Sequence, residues 1–231
     1  MSAPAAYKLF AWLSPAMPVG AYSYSHGLEQ AVAAGRVRDA ASLGAYVETV
    51  LRHGTGRLDA LFLRAACQAE TDGACEGAGL AEILTTAAAM RGTSELALES
   101  AAQGRALLAV LRRAWPTPAL DALAGLCREH QIEPPYAVVL GVATAAHRLP
   151  LEAALTAFLH AVAANLISAG LRLIPLGQSA GQQLTAALEP TVHRAAAGAL
   201  SDRLDAAGTA TPAIDLFSIA HETQYTRLFR S

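Results

Sequence analysis

Apolar residues recur along this chain at intervals of three and four rather than two, the spacing that lines one face of an α-helix. Leu43, Val47, Val50 and Leu51 form one such stripe. Asp39 precedes it as an N-cap able to accept from the free amides of the first turn, and Gly35 suits the end of a preceding helix. Two helices are therefore expected on either side of residue 37. Leu58, Leu61, Phe62 and Ala65 continue the pattern until Gly73, Gly77 and Gly79 interrupt it, which predicts a surface loop.

Ser94 can open a helix through Leu96, Leu107, Leu108 and Leu111, and Trp115-Pro116 should stop it, because proline restricts the residue before it. Thr117-Pro118 then opens another. Pro135 suits the first turn of a helix from Tyr136 to Arg148, and Pro150 separates that helix from a long one ending before Pro175. A last helix is expected from about Thr191 to Leu204. Beyond it, 205–213 has the Gly, Pro and small polar residues of a linker, and 214–231 carries Phe217, Tyr225 and Phe229, whose apolar area favours docking on the body or on a partner. The expected organisation is a helical domain over 1–204, a linker over 205–213 and a docking tail over 214–231.

Composition sharpens the fold class. The chain has 231 residues and is 53% hydrophobic, enough for a real core, and its excess of Ala and Leu costs least in helices. An all-α fold follows: a single-domain helical bundle of about eight to ten helices with a flexible C-terminal tail. A net charge of -2 gives no basic field for nucleic acid or an anionic membrane surface. Ala153 to Leu171 is long and free of formal charge, but His160 and Asn165 interrupt it, and a buried bundle helix is the better reading than a membrane span. Cys67, Cys75 and Cys127 are odd in number and lack Cys-x-x-Cys spacing, so neither disulfides nor a thiolate metal site is expected. Met1 to Phe10 has no secretory pattern, and a cytoplasmic location is expected.

Catalytic signals are sparse. There is no Gly-Lys-Ser/Thr phosphate loop and no Gly-x-Ser-x-Gly elbow; Gly177-Gln178-Ser179-Ala180-Gly181 reads as a turn. The seven His residues are scattered singly, and His221-Glu222 has Tyr225 where a second helical zinc ligand would stand, so no metal or other cofactor is expected. His26 and Glu29 could act as acid and base, although such a pair more often caps or solvates a helix. A helical enzyme using His26, Glu29, His221 and Glu222, or a generic helical scaffold, are the rival readings.

Two segments are too particular for generic bundle sequence: Leu13-Ser14-Pro15-Ala16-Met17-Pro18-Val19-Gly20-Ala21-Tyr22-Ser23-Tyr24-Ser25-His26-Gly27-Leu28-Glu29, and His221-Glu222-Thr223-Gln224-Tyr225-Thr226-Arg227-Leu228-Phe229-Arg230-Ser231. Both closely resemble the UreF family of urease accessory proteins. The similarity continues through Arg91-Gly92-Thr93-Ser94-Glu95-Leu96, Asn165-Leu166-Ile167-Ser168 and Leu173-Ile174-Pro175-Leu176-Gly177-Gln178, covering essentially the whole chain. Met17 stands where Leu is common, His26 where Gln is common, and Ala220 where Arg often precedes the His.

The resemblance implies a non-catalytic, all-helical, homodimeric protein. Such a protein binds UreD (also called UreH), recruits the GTPase UreG through that complex, and serves nickel delivery to apo-urease. On this reading Pro18, Gly20, Tyr22, Ser23, Tyr24 and Glu29 of the first segment, with His221, Glu222, Tyr225, Arg227, Leu228, Phe229 and Arg230 of the tail, are the partner-binding residues. Their chemistry suits that use: Pro18 and Gly20 shape a turn, tyrosines join an apolar face to a polar tip, and Arg227 and Arg230 can form charge-assisted contacts.

Overall fold

The computed structural model describes residues 3–71 and 78–231, and no strand occurs among them. Cys75, Gly73 and Gly77 lie outside the described residues. The helices are α1 (Ala3–Trp12), α2 (Leu28–Ala33), α3 (Ala40–His53), α4 (Thr55–Thr71), α5 (Ala78–Ala89), α6 (Ser94–Ala114), α7 (Pro118–Glu129), α8 (Tyr136–Ala146), α9 (Leu151–Leu173), α10 (Gln178–Ser201) and α11 (Pro212–His221). Two 3-10 turns, Ala21–Ser23 and Leu204–Ala206, complete the set. Only Gly54 separates α3 from α4, so the two count nearly as one bent helix and the all-α bundle stands as expected.

The caps follow local chemistry. Asp39 accepts from the Ser42 amide at 2.8 Å while the Ser42 hydroxyl returns to the Asp39 amide at 3.1 Å, a reciprocal capping box at the start of α3. Gly35, with φ 69°, follows α2, and the Arg36 amide bonds back to the Ala31 carbonyl. Thr93 and Thr117 cap α6 and α7 through their side chains, with Pro118 in the first turn of α7.

At the centre, α4 crosses α8. Nearly every residue of α8 is buried, and Gly141 lets the helices approach so closely that a Cβ there would collide with the Leu63 carbonyl oxygen and Ala66. On the other side α9 packs against α10, α3, α4 and α2. By length and composition α9 could cross a membrane, yet half of its apolar stretch is buried inside this body. Trp12 ties α1 to the far end of the bundle, its ring edge-on to Trp115 at 6.0 Å and to His147 at 5.2 Å.

Four expectations change. The helix expected from Thr191 begins instead at Gln178 and ends at Ser201, with Pro190 inside it. Pro190 and Ala186 both face solvent, so the hydrogen bond that proline deletes lies where water can replace it. The Gly177 to Gly181 segment, expected as a turn, is therefore the start of α10, with Gly181 packed against Leu171 and Ile167. Gly79 belongs to α5 rather than to a loop. Pro135 is the N-cap of α8, which stops at Ala146 because Arg148 turns to φ 53° before Pro150.

The connection from α10 to α11 is strapped to the body. Arg57 on α4 pairs with Asp202 at 2.7 Å, and the Ala210 amide donates to the His53 carbonyl at 2.8 Å. This brings α11 across α2 and the start of α6.

Candidate functional site

The segment before α2 and the segment after α11 interlock. Gly27 caps α2 at φ 76°, and a Cβ there would sit 2.9 Å from the Ser218 backbone nitrogen, so glycine is needed both for the backbone angle and for the close approach of α11. Ser218 in turn bonds Thr93, the cap of α6, at 2.7 Å. The chain then doubles back: the Arg230 amide donates to the Ser23 carbonyl at 2.8 Å, and the Ser25 amide to the Ser231 carbonyl at 2.6 Å.

Glu29 is the receptor for this return. Its Oε1 accepts the Leu228 amide at 2.7 Å and its Oε2 the Phe229 amide at 2.9 Å. The same Oε2 lies 3.1 Å from His221 Nε2. The other ring nitrogen of His221 faces Glu95 of α6, 2.9 Å from Oε2. His221 is fully buried between the two carboxylates. Arg227 donates to Glu95 Oε1 at 3.1 Å from the rim. A carboxylate accepting two backbone amides and a histidine in a buried site is well satisfied, and such charge-assisted bonds exceed neutral ones in strength.

One turn further along α6, Glu99 takes up a second histidine. His26 Nδ1 lies 3.0 Å from Glu99 Oε2, and its Nε2 bonds the Thr55 hydroxyl at 2.6 Å. Burial works against the His26 cation, but the Glu99 carboxylate outweighs it and the net shift is upward from 6.5. His26 is held at φ 60°, an uncommon angle for a residue with a Cβ, and its carbonyl accepts from the Tyr46 hydroxyl. Gln103 and Ser231 also donate to Glu99, at 3.0 Å and 3.1 Å. Arg91, nearly buried, pairs with Asp59 at 2.6 Å beside this group. A small chamber of about 80 Å³ adjoins it, lined by His26, Asp59, Glu99, Ser100 and Tyr136 among others.

The structure thus brings Ser23, Glu29, His221, Arg227, Leu228, Phe229 and Arg230 into one constellation. Phe229 is buried beneath the Arg172 guanidinium, 4.3 Å from its ring centroid. Tyr24 is buried nearby, its carbonyl 3.4 Å from the Asn165 amide. Pro18, Tyr22, Tyr225 and Leu228 face outward, and Gly20 turns at φ 73° in open space. Glu222 bonds Ser94 at the surface. His26 and Glu29 do not act as a pair; each belongs to a different carboxylate–histidine contact.

Sequence reading missed Glu95 and Glu99 as site residues. A signal was available: Glu95, Glu99 and Gln103 occupy the same i, i+4 row that Leu107 and Leu111 continue into the core. Acids in register with a buried stripe require partners, and these include His221 for Glu95 and Ser231 for Glu99, each more than a hundred residues away.

A family model named UreF matches residues 37–189. This chain belongs to the UreF family. Relatives named urease accessory protein UreF include one from Rhodopseudomonas palustris (strain HaA2), 50% identical over 225 residues and covering 97% of this chain and 93% of the relative. Another, from Granulibacter bethesdensis, is 50% identical over 98% of this chain and 94% of its own length. A third, from Bradyrhizobium sp. (strain BTAi1), is 49% identical over 99% and 92%. The terminal segments that form the constellation flank the matched region of the UreF model, whereas the similarity to the Granulibacter relative extends over 98% of this chain.

Proposed function

We propose that this urease accessory protein is a non-catalytic chaperone. It bridges UreD/UreH and the GTPase UreG as a homodimer in the cytoplasm and regulates GTP-dependent assembly of the nickel centre of apo-urease. The observation that carries this reading is the interlocked pair of terminal segments. A buried, ion-paired base holds an exposed rim of Tyr22, Tyr225 and Leu228, and rigid aromatic and aliphatic side chains on a fixed frame are what a protein interface needs. Tyr225 is 103% exposed and Leu228 62% exposed, so both are free to bury area against a partner.

Two further points support it. The sequence has no phosphate-cradling loop with a Gly-Lys-Ser/Thr, consistent with GTP hydrolysis residing in the partner. His26, Glu29 and His221, side chains with acid or base chemistry, are engaged in contacts within the protein: His221 with Glu29 and Glu95, and His26 with Glu99.

Co-expression with UreD/UreH and UreG tests the reading. The unaltered chain is expected to co-purify with both and to support urease activation. The triple substitution Tyr22→Ala, Tyr225→Ala, Leu228→Ala is expected to lose UreD/UreH while keeping its helix content and melting temperature. Retention of both partners and full activation by the triple variant would remove this surface from the account, and failure of the unaltered chain to bind either partner would sink the chaperone reading.

A further inference from the structure

Several hydroxyls on the helices of this chain return to their own backbone. Thr71 donates to the Cys67 carbonyl at 2.8 Å, Thr144 to that of Leu140 at 2.7 Å and Thr185 to that of Gly181 at 3.0 Å, each four residues back. Ser100, in α6, does not. It is only 8% exposed, and its buried hydroxyl has no hydrogen-bond partner among the described residues. An orphan of that kind is costly and uncommon in a folded protein.

Ser100 lines the chamber of about 80 Å³ beside His26, and polar side chains reach that chamber from every helix around it. Asp59 comes from α4, Gln103 from α6, Tyr136 from the start of α8 and Asn165 from α9. Burial pushes the Tyr136 hydroxyl above the usual phenol range, so it remains a donor. Asp59 gives one oxygen to Arg91, and a carboxylate can accept more than one donor. Each acid on the wall already faces a basic side chain, Asp59 with Arg91 and Glu99 with His26. A neutral occupant therefore suits the chamber better than an ion. The volume corresponds to about two or three waters, and the walls supply the several polar partners that each buried water needs.

We propose that this chamber is a hydration site, in which about two or three long-lived waters join the Ser100 hydroxyl to Asp59 and Tyr136 and so link α6 to α4 and α8. Glu99 belongs both to the chamber wall and, through Ser231, to the receptor for the C-terminal return. The hydrated interior is thus the floor on which the terminal constellation rests. Ala21, Tyr136, Ala161 and Asn165 are shared between the chamber and a groove beside Trp12 and Tyr22, and this is the side from which the waters exchange with solvent.

Magnetic relaxation dispersion of the water signal, which counts long-lived internal waters, tests this on the full chain. Ser100→Ala is expected to lose at least one such water relative to the unaltered chain. Thr144→Val, which removes a fully buried hydroxyl already satisfied by its own helix and outside the chamber, is expected to lose none. Equal counts in the unaltered chain and Ser100→Ala overturn the proposal, and so does an equal loss in Thr144→Val. Melting temperature gives a second reading through its sign. In a dry chamber Ser100→Ala removes an unsatisfied polar atom and installs a better helix former, so the melting temperature would rise. In a hydrated one the waters lose a partner, and a fall of about 1–4 °C is expected. A rise, or no change, overturns the hydration site. Both readings are made on the isolated chain, so their failure leaves the partner reading untouched.

Discussion

The Leu228 amide donates to Glu29 Oε1 at 2.7 Å across a separation of 199 residues, and the same carboxylate meets His221 on its other oxygen. One acid on a two-turn helix thus gathers the whole C-terminal return of the chain.

Removing that acid should be costly. Glu29→Ala leaves two backbone amides and a buried histidine without their acceptor, and a loss of about 3 kcal/mol is expected. For a chain of this size that corresponds to roughly 6–12 °C in melting temperature. Calorimetry on the two proteins checks it; a shift within a degree or two of zero would show that the return contributes nothing to stability.

Stability should also depend on pH through His26. Its folded value is raised, so the contribution is fully present below the ordinary 6.5 and is lost as pH rises through the raised value. His26→Gln is expected to flatten the fall in stability on the alkaline side of pH 6.5. Urea titrations of both proteins at several pH values would reveal it, and parallel curves would rule it out.

Two glycines with similar angles make a matched comparison. Gly20 has φ 73° with open space around it, and Gly27 has φ 76° with the Ser218 nitrogen 2.9 Å from any added Cβ. Gly20→Ala should cost about 1 kcal/mol of backbone strain. Gly27→Ala should cost more, about 2–4 kcal/mol, because α11 must also move. Equal costs would mean that the contact with α11 is soft.

The tail's aromatic residues should separate cleanly. Phe229 is 3% exposed and Tyr225 103%. Phe229→Ala is expected to cost about 3 kcal/mol and Tyr225→Ala to stay within about 0.5 kcal/mol in thermal unfolding of the isolated chain. A stability loss in Tyr225→Ala would show that its ring is not free.

Most helices were legible because their signals are local. The Asp39 capping box, Gly35 and Thr117-Pro118 each act within a few residues of themselves, so the chain alone reveals them. The first half of α10 was not legible, because a helix can continue through Pro190 only where Ala186 faces solvent, and that is decided by α9 and α3 packing on the opposite side of α10. At the site, the residues of the two terminal motifs were picked out together, but not the acids that join them. Glu95 and Glu99 sit in a helix whose local pattern says only that one face is buried. Their histidines arrive from elsewhere in the chain, and no local rule encodes such a meeting.

The long reach of these contacts sets an order of assembly. Ser25 and Ser231 are 206 residues apart, and closing a loop of that length before the body exists would cost chain entropy with little in return. Only after α2 and α6 are in place do Glu29, Glu95 and Glu99 form a receptor. The outer surface carrying Tyr225 and Leu228 is therefore a certificate of folding: whatever grips it grips a chain whose interior is already complete.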